Sequence, residues 1–142
     1  MDCNFITTIR TRGVGAIAAK YCERWVVSSD WIEPGMHISA MGADTKGKQE
    51  IDPALFTRAK IVVDSIEQCK EFGEMQHTPN LVEKGGIYAE LGAITAGEKS
   101  GRTDKNEITL FDATGIAFQD LVTGELALKL SVERGIAKRI LI

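Results

Sequence analysis

The chain has 142 residues, of which 44% are hydrophobic and 26% are charged, with a formal net charge of -3 at pH 7. This length suits one domain and is not comfortable for two. The 17 basic residues are interspersed with 20 acidic ones. No basic stripe suited to a phosphate backbone results, so the sequence argues against nucleic-acid binding.

Cysteine usage and the lack of long apolar stretches indicate the compartment. Cys3, Cys22 and Cys69 are widely spaced and form no CxxC pair, which is typical of free thiols in a reducing cytoplasm. No stretch approaches the roughly 18 apolar residues of a membrane span, and the first residues lack the order of a secretory signal. We expect a soluble cytoplasmic protein with no membrane partner and no metal site.

The first predicted element is a helix from about Gly13 to Glu23, because apolar residues recur there at helical spacing. The same region holds Gly13-Val-Gly15-Ala-Ile-Ala18 after a possible strand at Phe5–Ile9, which matches the G-x-G-x-x-A pattern of a dinucleotide-binding turn. Polar residues separate that strand from the first glycine, and no acidic residue closes a second strand about twenty residues later. The helix interpretation is therefore favoured.

The rest of the chain alternates between short β-branched runs and helical segments. Strands are predicted at His37–Met41, Lys60–Asp64 and Glu107–Phe111. Helices are predicted at Pro53–Arg58, Ile66–Phe72, Gly86–Ala96 and from Ile116 to about Arg134, with Gly97–Asn106 as a loop and Ala137–Ile142 as a possible terminal strand. This alternation predicts an α/β fold with a small parallel sheet flanked by helices.

Polar residues cluster where the first of these strands ends. Asp44, Lys48 and Glu50 follow it, and Gly42 and Gly47 allow tight backbone turns. Ligands of open α/β sheets bind outside the carboxyl ends of the strands, so Asp44 is a candidate active-site carboxylate. The alternative is an aspartate that caps its own turn. Lys48 and Glu50 are interpreted as a solvated ion pair that contributes little to stability.

A second cluster follows the last predicted strand. Asp112, Thr114 and Gly115 lead from it into the long helix, and the alternative makes Asp112 or Thr114 the N-cap of that helix. We expect Asp44 to be solvent-reachable on the same sheet edge as Asp112. His37 is interpreted as a satisfied core histidine, whereas His77 lies in a flexible-looking loop with no recognisable partner.

Together these segments resemble the ornithine cyclodeaminase/mu-crystallin family, which also contains alanine dehydrogenases and ketimine reductases. The motifs that carry the resemblance occur in the family's order: Phe5-Ile-Thr-Thr-Ile-Arg10-Thr11, Ala16-Ile-Ala-Ala-Lys-Tyr21, Trp31-Ile-Glu-Pro-Gly-Met-His37-Ile38, Gly42-Ala-Asp44, Gly47-Lys48-Gln-Glu50, Val62-Val-Asp64-Ser65, Glu90-Leu-Gly92, Asp112-Ala-Thr-Gly115 and Gln119-Asp120. Family members are about twice this length. The sequence is therefore interpreted as lacking the family's N-terminal substrate domain and the Gly-rich half of its Rossmann domain.

The resemblance implies NAD(H)-dependent oxidoreduction, or the lyase reaction of cyclodeamination, with an amino acid or cyclic imine as substrate. It implies that Asp44 is the catalytic carboxylate and that Arg10 faces the substrate carboxylate. It places Thr11 near the cofactor phosphate, and it places the turn formed by Asp112, Thr114 and Gly115 beside the nicotinamide. Arg12 stands where the family usually has glycine.

We predict a single truncated Rossmann-like domain over residues 1–142, with residues 1–24 as a connecting helix segment and residues 25–142 as the distal half with the C-terminal helix. Little or no activity is expected of it alone, because most groups that would position the reactants are missing. The alternatives are a non-catalytic oligomerisation or binding module and an engineered folding fragment. An uncovered strand edge and apolar face also predict a homo-oligomer, at least a dimer.

Overall fold

The computed structural model describes residues 6–11, 14–19, 25–138 and 140. Its six strands are β1 (Ile6–Thr11), β2 (Val14–Ala19), β3 (His37–Ala40), β4 (Ala59–Val63), β5 (Ile87–Glu90) and β6 (Ile108–Asp112). Its helices are α1 (Ile66–Glu71), α2 (Pro79–Glu83), α3 (Leu91–Thr95) and α4 (Ala117–Glu133), with 3₁₀ turns at Ser29–Trp31, Pro53–Thr57 and Glu74–His77.

All six strands form one sheet in the order β1-β2-β3-β6-β4-β5. The strands from β2 to β5 in this order are parallel, and β1 is antiparallel to β2. The predicted α/β fold with a small parallel sheet and flanking helices is confirmed. The three predicted strands correspond to β3, β4 and β6.

The N-terminal prediction is wrong. The predicted helix from Gly13 to Glu23 is a strand over Val14–Ala19, which pairs with β1 on one side and with β3 on the other. Gly15 weakens a helix at this point, and pairing with two neighbours outweighs the local preference of the alanine-rich segment. Residues 20–24 lie outside the described residues, as do Cys3 and Cys22.

A second prediction is wrong in part, because the segment Gly86–Ala96 begins with strand β5 before helix α3. Short apolar runs fit either a strand or a buried helix. The predicted helices at Ile66 and Ile116 are confirmed as α1 and α4. At Pro53 the structure has a 3₁₀ turn that Asp52 caps by accepting from the Ala54 amide at 3.0 Å. The described residues after Gly135 form no strand.

The hydrophobic core lies on one face of the sheet. Alternate residues of β3 and β6 are buried there, among them Ile38, Ala40 and Leu110. Cys69 of α1 and Met75 of the adjacent 3₁₀ turn pack against this face. Among the described residues the opposite face has less cover, and none of the residues of α4 is buried. Among the described helices, none combines the length and apolar character needed to span a membrane.

Candidate functional site at the carboxyl edge of the sheet

The loops that carry the candidate residues leave the sheet at one edge. Ala40 at the end of β3 and Val63 at the end of β4 both pair with Asp112, the last residue of β6. The three strands are parallel, so the loops that begin at Met41, Asp64 and Ala113 emerge side by side. The prediction that Asp44 and Asp112 share a sheet edge is confirmed.

Asp44 is the exposed carboxylate of this edge. Its side chain is 52% exposed, and its Oδ1 accepts from Lys48 Nζ at 2.5 Å and from Thr45 Oγ1 at 3.1 Å. The hydrogen bond from Lys48 is the main reason that the pKa of Asp44 lies below its usual value. Asp44 is therefore ionised at neutral pH and accessible to a small molecule.

The loop around Asp44 is held by the 3₁₀ turn Glu74–His77. Gln76 Oε1 accepts from the Gly47 amide at 2.8 Å, and Gln76 Nε2 donates to the carbonyls of Phe72 and Gly73. His77 Nε2 lies 2.7 Å from the Lys48 carbonyl. Because a carbonyl only accepts, this nitrogen carries the proton. His77 thus has a defined partner, which the sequence did not indicate.

Three buried carboxylates connect this loop to β6 through backbone amides. Glu50 Oε2 accepts from the Gly42 amide at 3.0 Å, and Glu74 accepts from the amides of Glu50 at 2.7 Å and Ile51 at 3.2 Å. Asp112 Oδ2 in turn accepts from the Met75 amide at 3.3 Å. We call this set, Glu50, Glu74 and Asp112, the carboxylate relay.

The relay corrects two interpretations of the sequence. Glu50 is 3% exposed rather than solvated, and Lys48 forms an ion pair with Asp44. Neither Asp112 nor Thr114 caps α4, since Ile116 occupies the N-cap position without a side-chain cap. Asp112 is instead fully buried, and its Oδ1 has no hydrogen-bond partner among the described residues.

Burial dominates the protonation of Glu74 and Asp112. It raises the pKa of Glu74 to about 8, although the amides of Glu50 and Ile51 favour the ionised form. Burial likewise raises the pKa of Asp112 to about 7, and the nearby charge of Asp64 adds to the rise. These acids sit beside one another in a water-poor interior, where ionising both at once is costly.

Asp64 organises the loop after β6. Its Oδ2 accepts from the amides of Thr114 at 2.9 Å and Gly115 at 2.8 Å, and the Thr114 hydroxyl donates to the same carboxylate. The buried thiol of Cys69 donates to Asp64 Oδ1 at 3.3 Å, and burial raises the pKa of this thiol. One carboxylate thus fixes the backbone of the Thr114–Gly115 turn next to the loop of Asp44.

The backbone of Arg10 and Thr11 lies away from this cluster. Both lie in β1, where Thr11 pairs with Val14 at the start of β2. Val14 in turn pairs with His37 at the start of β3. The backbone of Thr11 therefore lies at the amino end of the parallel strands, opposite the edge that carries Asp44. Their roles in substrate and cofactor binding stay predictions from the resemblance.

His37 has hydrogen-bond partners, as predicted, but it lies on the sheet face opposite the core rather than in the core. It is half-buried, with Nδ1 2.8 Å from Thr109 Oγ1 and Nε2 3.3 Å from Ser39 Oγ. Burial, followed by the positive charge of Arg102, lowers its pKa. Among the described residues, no group of three acidic, histidine or cysteine side chains is arranged to hold a metal ion.

Two positions in the described chain are candidates for holding the pyrophosphate of a dinucleotide. The pyrophosphate needs free backbone amides at a glycine-rich helix start. Gly15 of the G-x-G-x-x-A pattern pairs within the sheet with Arg10 and Ile38. At the start of α1, the Ile66 amide donates to Glu90 and the Gln68 amide to Ser65. Neither of these two positions therefore offers free amides to a pyrophosphate.

Sequence reasoning missed Asp64, Glu74 and Gln76 as residues that build the site. Asp64 ends a predicted strand, so the logic applied to Asp44 and Asp112 also applied to it. Glu74 and Gln76 lie in a segment without a strand or a strong helical period. Nothing local distinguishes them, because their partners lie 24 and 29 residues away along the chain.

Comparison with known proteins agrees with this geometry. The model of the ornithine cyclodeaminase/mu-crystallin family matches residues 22–129. An alanine dehydrogenase of Archaeoglobus fulgidus is 40% identical over 117 residues, which are 81% of this chain and 36% of that protein. This chain therefore spans little more than a third of that relative.

Solved structures give the same result. An archaeal alanine dehydrogenase dimer with bound NAD has a TM-score of 0.72 and 36% identity, over 84% of this chain and 38% of that one. The Δ1-pyrroline-2-carboxylate reductase of Thermococcus litoralis, in complex with NADH and L-proline, has a TM-score of 0.74 and 32% identity over 89% and 39% of the two chains. NAD is thus the cofactor of these relatives, and the chain belongs to the ornithine cyclodeaminase/mu-crystallin family.

Proposed function

We propose that this chain forms the nicotinamide-side and substrate-side part of an NAD(H)-dependent site for an amino acid or a cyclic imine. The observation that carries the proposal is the juxtaposition at the carboxyl edge of the sheet. The loop of the ionised, exposed Asp44 leaves β3 beside β6, whose Thr114–Gly115 turn is held in place by Asp64. The family match and the cofactors of its relatives support the same assignment.

The role proposed for Asp44 follows from its charge. A substrate amine or imine is cationic when protonated, and a fixed carboxylate nearby stabilises that cation electrostatically. The lowered pKa of Asp44 keeps the carboxylate ionised across neutral pH. A group with this pKa is a poor proton donor at pH 7, so we assign Asp44 to charge stabilisation or proton acceptance.

We further propose that these residues alone bind NAD(H) weakly and turn over little or no substrate. Neither the glycine pattern nor the start of α1 offers free amides to a pyrophosphate, and the backbone of Thr11 lies at the other end of the parallel strands. Without a cradle for the cofactor, the rate gained from proximity is lost.

Calorimetric titration with NADH tests this proposal. We expect no saturable binding in the micromolar range. We also expect no NADH oxidation with Δ1-pyrroline-2-carboxylate, or with pyruvate and ammonium. A micromolar dissociation constant that Gly15→Val abolishes would contradict the proposal and establish the glycine pattern as a real cofactor site. Turnover that Asp44→Asn abolishes would retain the site assignment and overturn the proposed inactivity.

A second function, assembly of copies into a homo-oligomer, is supported by a separate observation. Helix α4 has no buried residue, yet it carries large apolar side chains. We propose that the chain is at least a dimer, and light scattering at micromolar concentration tests this.

A further inference from the structure

The loop after β3 brings a cation to Asp44 through a tight turn of residues 45–48. The Lys48 amide donates to the Thr45 carbonyl at 3.2 Å, and Gly47 has a φ of 89°, a conformation that glycine adopts without strain. The turn places Lys48 Nζ 2.5 Å from Asp44 Oδ1. A lysine side chain is long and flexible, so an exposed pair of this kind is ordered only when other contacts fix its backbone.

Two neighbouring side chains of the turn Glu74–His77 provide such contacts. Gln76 Oε1 accepts from the Gly47 amide at 2.8 Å, and His77 Nε2 donates to the Lys48 carbonyl at 2.7 Å. Gln76 Nε2 also lies 3.4 Å from the Thr45 carbonyl and 3.3 Å from the Lys48 carbonyl. The backbone is therefore anchored one residue before Lys48 and at Lys48 itself. We call Gln76 and His77 the clamp.

The clamp is itself fixed to the rest of the domain. Gln76 Nε2 donates to the carbonyls of Phe72 at 2.9 Å and Gly73 at 3.0 Å, which fixes the orientation of the side-chain amide. Met75, the residue before Gln76, is buried in the core, and its amide donates to Asp112. The clamp thus projects from a turn whose position is set by the core and by β6.

We propose that Gln76 and His77 are positioning residues for Asp44, which hold the backbone of Lys48 so that its ammonium keeps the Asp44 carboxylate in one orientation. The inference rests on the proposed role of Asp44 and names two residues that support that role. Both act through backbone atoms of the loop. A carboxylate that stabilises a substrate cation is most effective when its orientation is set before the substrate arrives.

Positioning and simple stabilisation of the fold differ in one measurable property, the pKa of Asp44. The hydrogen bond from Lys48 is the largest cause that lowers this pKa below its ordinary 3.8. If the clamp orients Lys48, its loss weakens that bond, and the pKa of Asp44 rises. If the clamp only stabilises the fold, the pair persists in every molecule that stays folded, and the pKa does not change.

Four variants separate these two cases. His77→Leu removes the donor to the Lys48 carbonyl, and Gln76→Leu removes the acceptor of the Gly47 amide. His77→Gln is the conservative variant, because a glutamine side chain also carries an N–H donor. Asn80→Leu is the matched control, since Asn80 is an exposed polar residue at the start of α2. The side-chain carboxyl carbon of Asp44 is titrated by NMR, and circular dichroism restricts each titration to the pH range in which the protein is folded.

We expect the unmodified chain and Asn80→Leu to show the lowered pKa of Asp44. Both clamp variants with leucine should raise it towards its ordinary value, and His77→Gln should restore the lowered one. In Gln76→Leu the Gly47 amide should also exchange with solvent at least about tenfold faster, as the loss of one hydrogen bond predicts.

An unchanged pKa of Asp44 in both leucine variants would overturn the positioning role, even if their unfolding midpoints fall. A pKa that rises as much in His77→Gln as in His77→Leu would show that the donor is not responsible. The unmodified chain gives a test that needs no variant, because a Gly47 amide that exchanges as fast as in an unstructured peptide would exclude the clamp.

None of these measurements involves NADH or a substrate. A negative result therefore removes the clamp and leaves the proposed role of Asp44 in place. Turnover that is insensitive to Asp44→Asn would remove that role and leave the measured effect of the clamp on the Asp44 pKa unchanged.

Discussion

Asp44 and Asp112 end up in opposite environments although the loops that carry them start from neighbouring strands. Asp44 is half-exposed and ionised through its contact with Lys48, and its pKa is lowered. Asp112 is fully buried, and burial raises its pKa to about 7. Strand order therefore determines which loops meet at the carboxyl end of the sheet. The residues that pack over each loop determine the pKa of the carboxyl group that the loop carries.

The segment from Gly73 to His77 covers Asp112, and the Met75 amide in it donates to the Asp112 carboxylate. The same segment contacts the Asp44 loop, where Gln76 accepts from the Gly47 amide. The carboxylate relay uses this segment to tie the two loops together. The loop of the exposed Asp44 is thus positioned by buried carboxylates, and we expect stability to depend on the relay far more than on Asp44.

The largest expected effect is that of Glu74→Leu. This change leaves the amides of Glu50 and Ile51 without an acceptor in the interior. An unsatisfied buried amide costs about 1–3 kcal/mol, so we expect a loss of about 2–5 kcal/mol in unfolding free energy by urea denaturation. Glu71→Ala, an exposed change three residues earlier, is the control and should be near neutral. Similar midpoints for the two variants would contradict the relay.

A smaller loss is expected from Gly73→Ala. A Cβ at this position would lie 2.6 Å from Asp112 Oδ2 and 2.9 Å from the Cα of Cys69. Its φ of -78° is open to any residue, so the cost is purely steric, about 1–3 kcal/mol. Gly124→Ala in α4 is the control, because no atom lies within 4 Å of the added Cβ and alanine favours the helix. The midpoint temperature of thermal unfolding should fall for Gly73→Ala and rise for Gly124→Ala.

The relay also predicts how stability depends on pH. The pKa of Glu74 rises from 4.5 to about 8 in the folded chain, and that of Asp112 rises to about 7. At a pH between the unfolded-state and the folded-state pKa of either group, the folded state holds a proton that the unfolded chain has released. Stability from both groups is therefore complete at low pH and is lost as the pH rises through the folded values.

Urea unfolding measures this dependence. The pKa of His37 is lowered from 6.5, so below that pH the titration of His37 makes stability rise with pH and opposes the effect of Glu74 and Asp112. The unfolding free energy is therefore compared between about pH 6.5 and about pH 8.5. We expect a loss of roughly 1–3 kcal/mol over this range, and Glu74→Gln should reduce the loss. Stability that rises over the same range would show that the relay is ionised in the folded chain.

The sequence predicted the sheet better than it predicted the site. The strands β3, β4 and β6 are short β-branched runs with polar exits, and this local pattern was sufficient. The predicted edge that joins Asp44 and Asp112 followed from the parallel arrangement alone. Val14–Ala19 was mistaken for a helix because its state depends on pairing with β1 and β3, which lie outside any local window.

The relay could not be predicted for the same reason. Glu74 takes its function from amides at Glu50 and Ile51, and a glutamate in an irregular segment is usually exposed. The burial of Glu50 was likewise hidden, because its spacing from Lys48 is typical of a surface pair. Asp64 follows β4 as Asp44 follows β3, so its place at the carboxyl end of the sheet is predictable from the sequence.

The smallest expected effect on stability is that of Asp44→Asn. The ion pair with Lys48 is 52% exposed at the aspartate, and exposed pairs contribute about 0–1 kcal/mol. We therefore expect a urea midpoint close to that of the unmodified chain, since the loop keeps its contacts with Gln76 and His77. Gln76→Ala removes the acceptor of the Gly47 amide and should cost more, about 1 kcal/mol. A loss in Asp44→Asn as large as that in Glu74→Leu would mean that Asp44 holds the fold, which would remove the reason to treat it as a side chain kept available for a ligand.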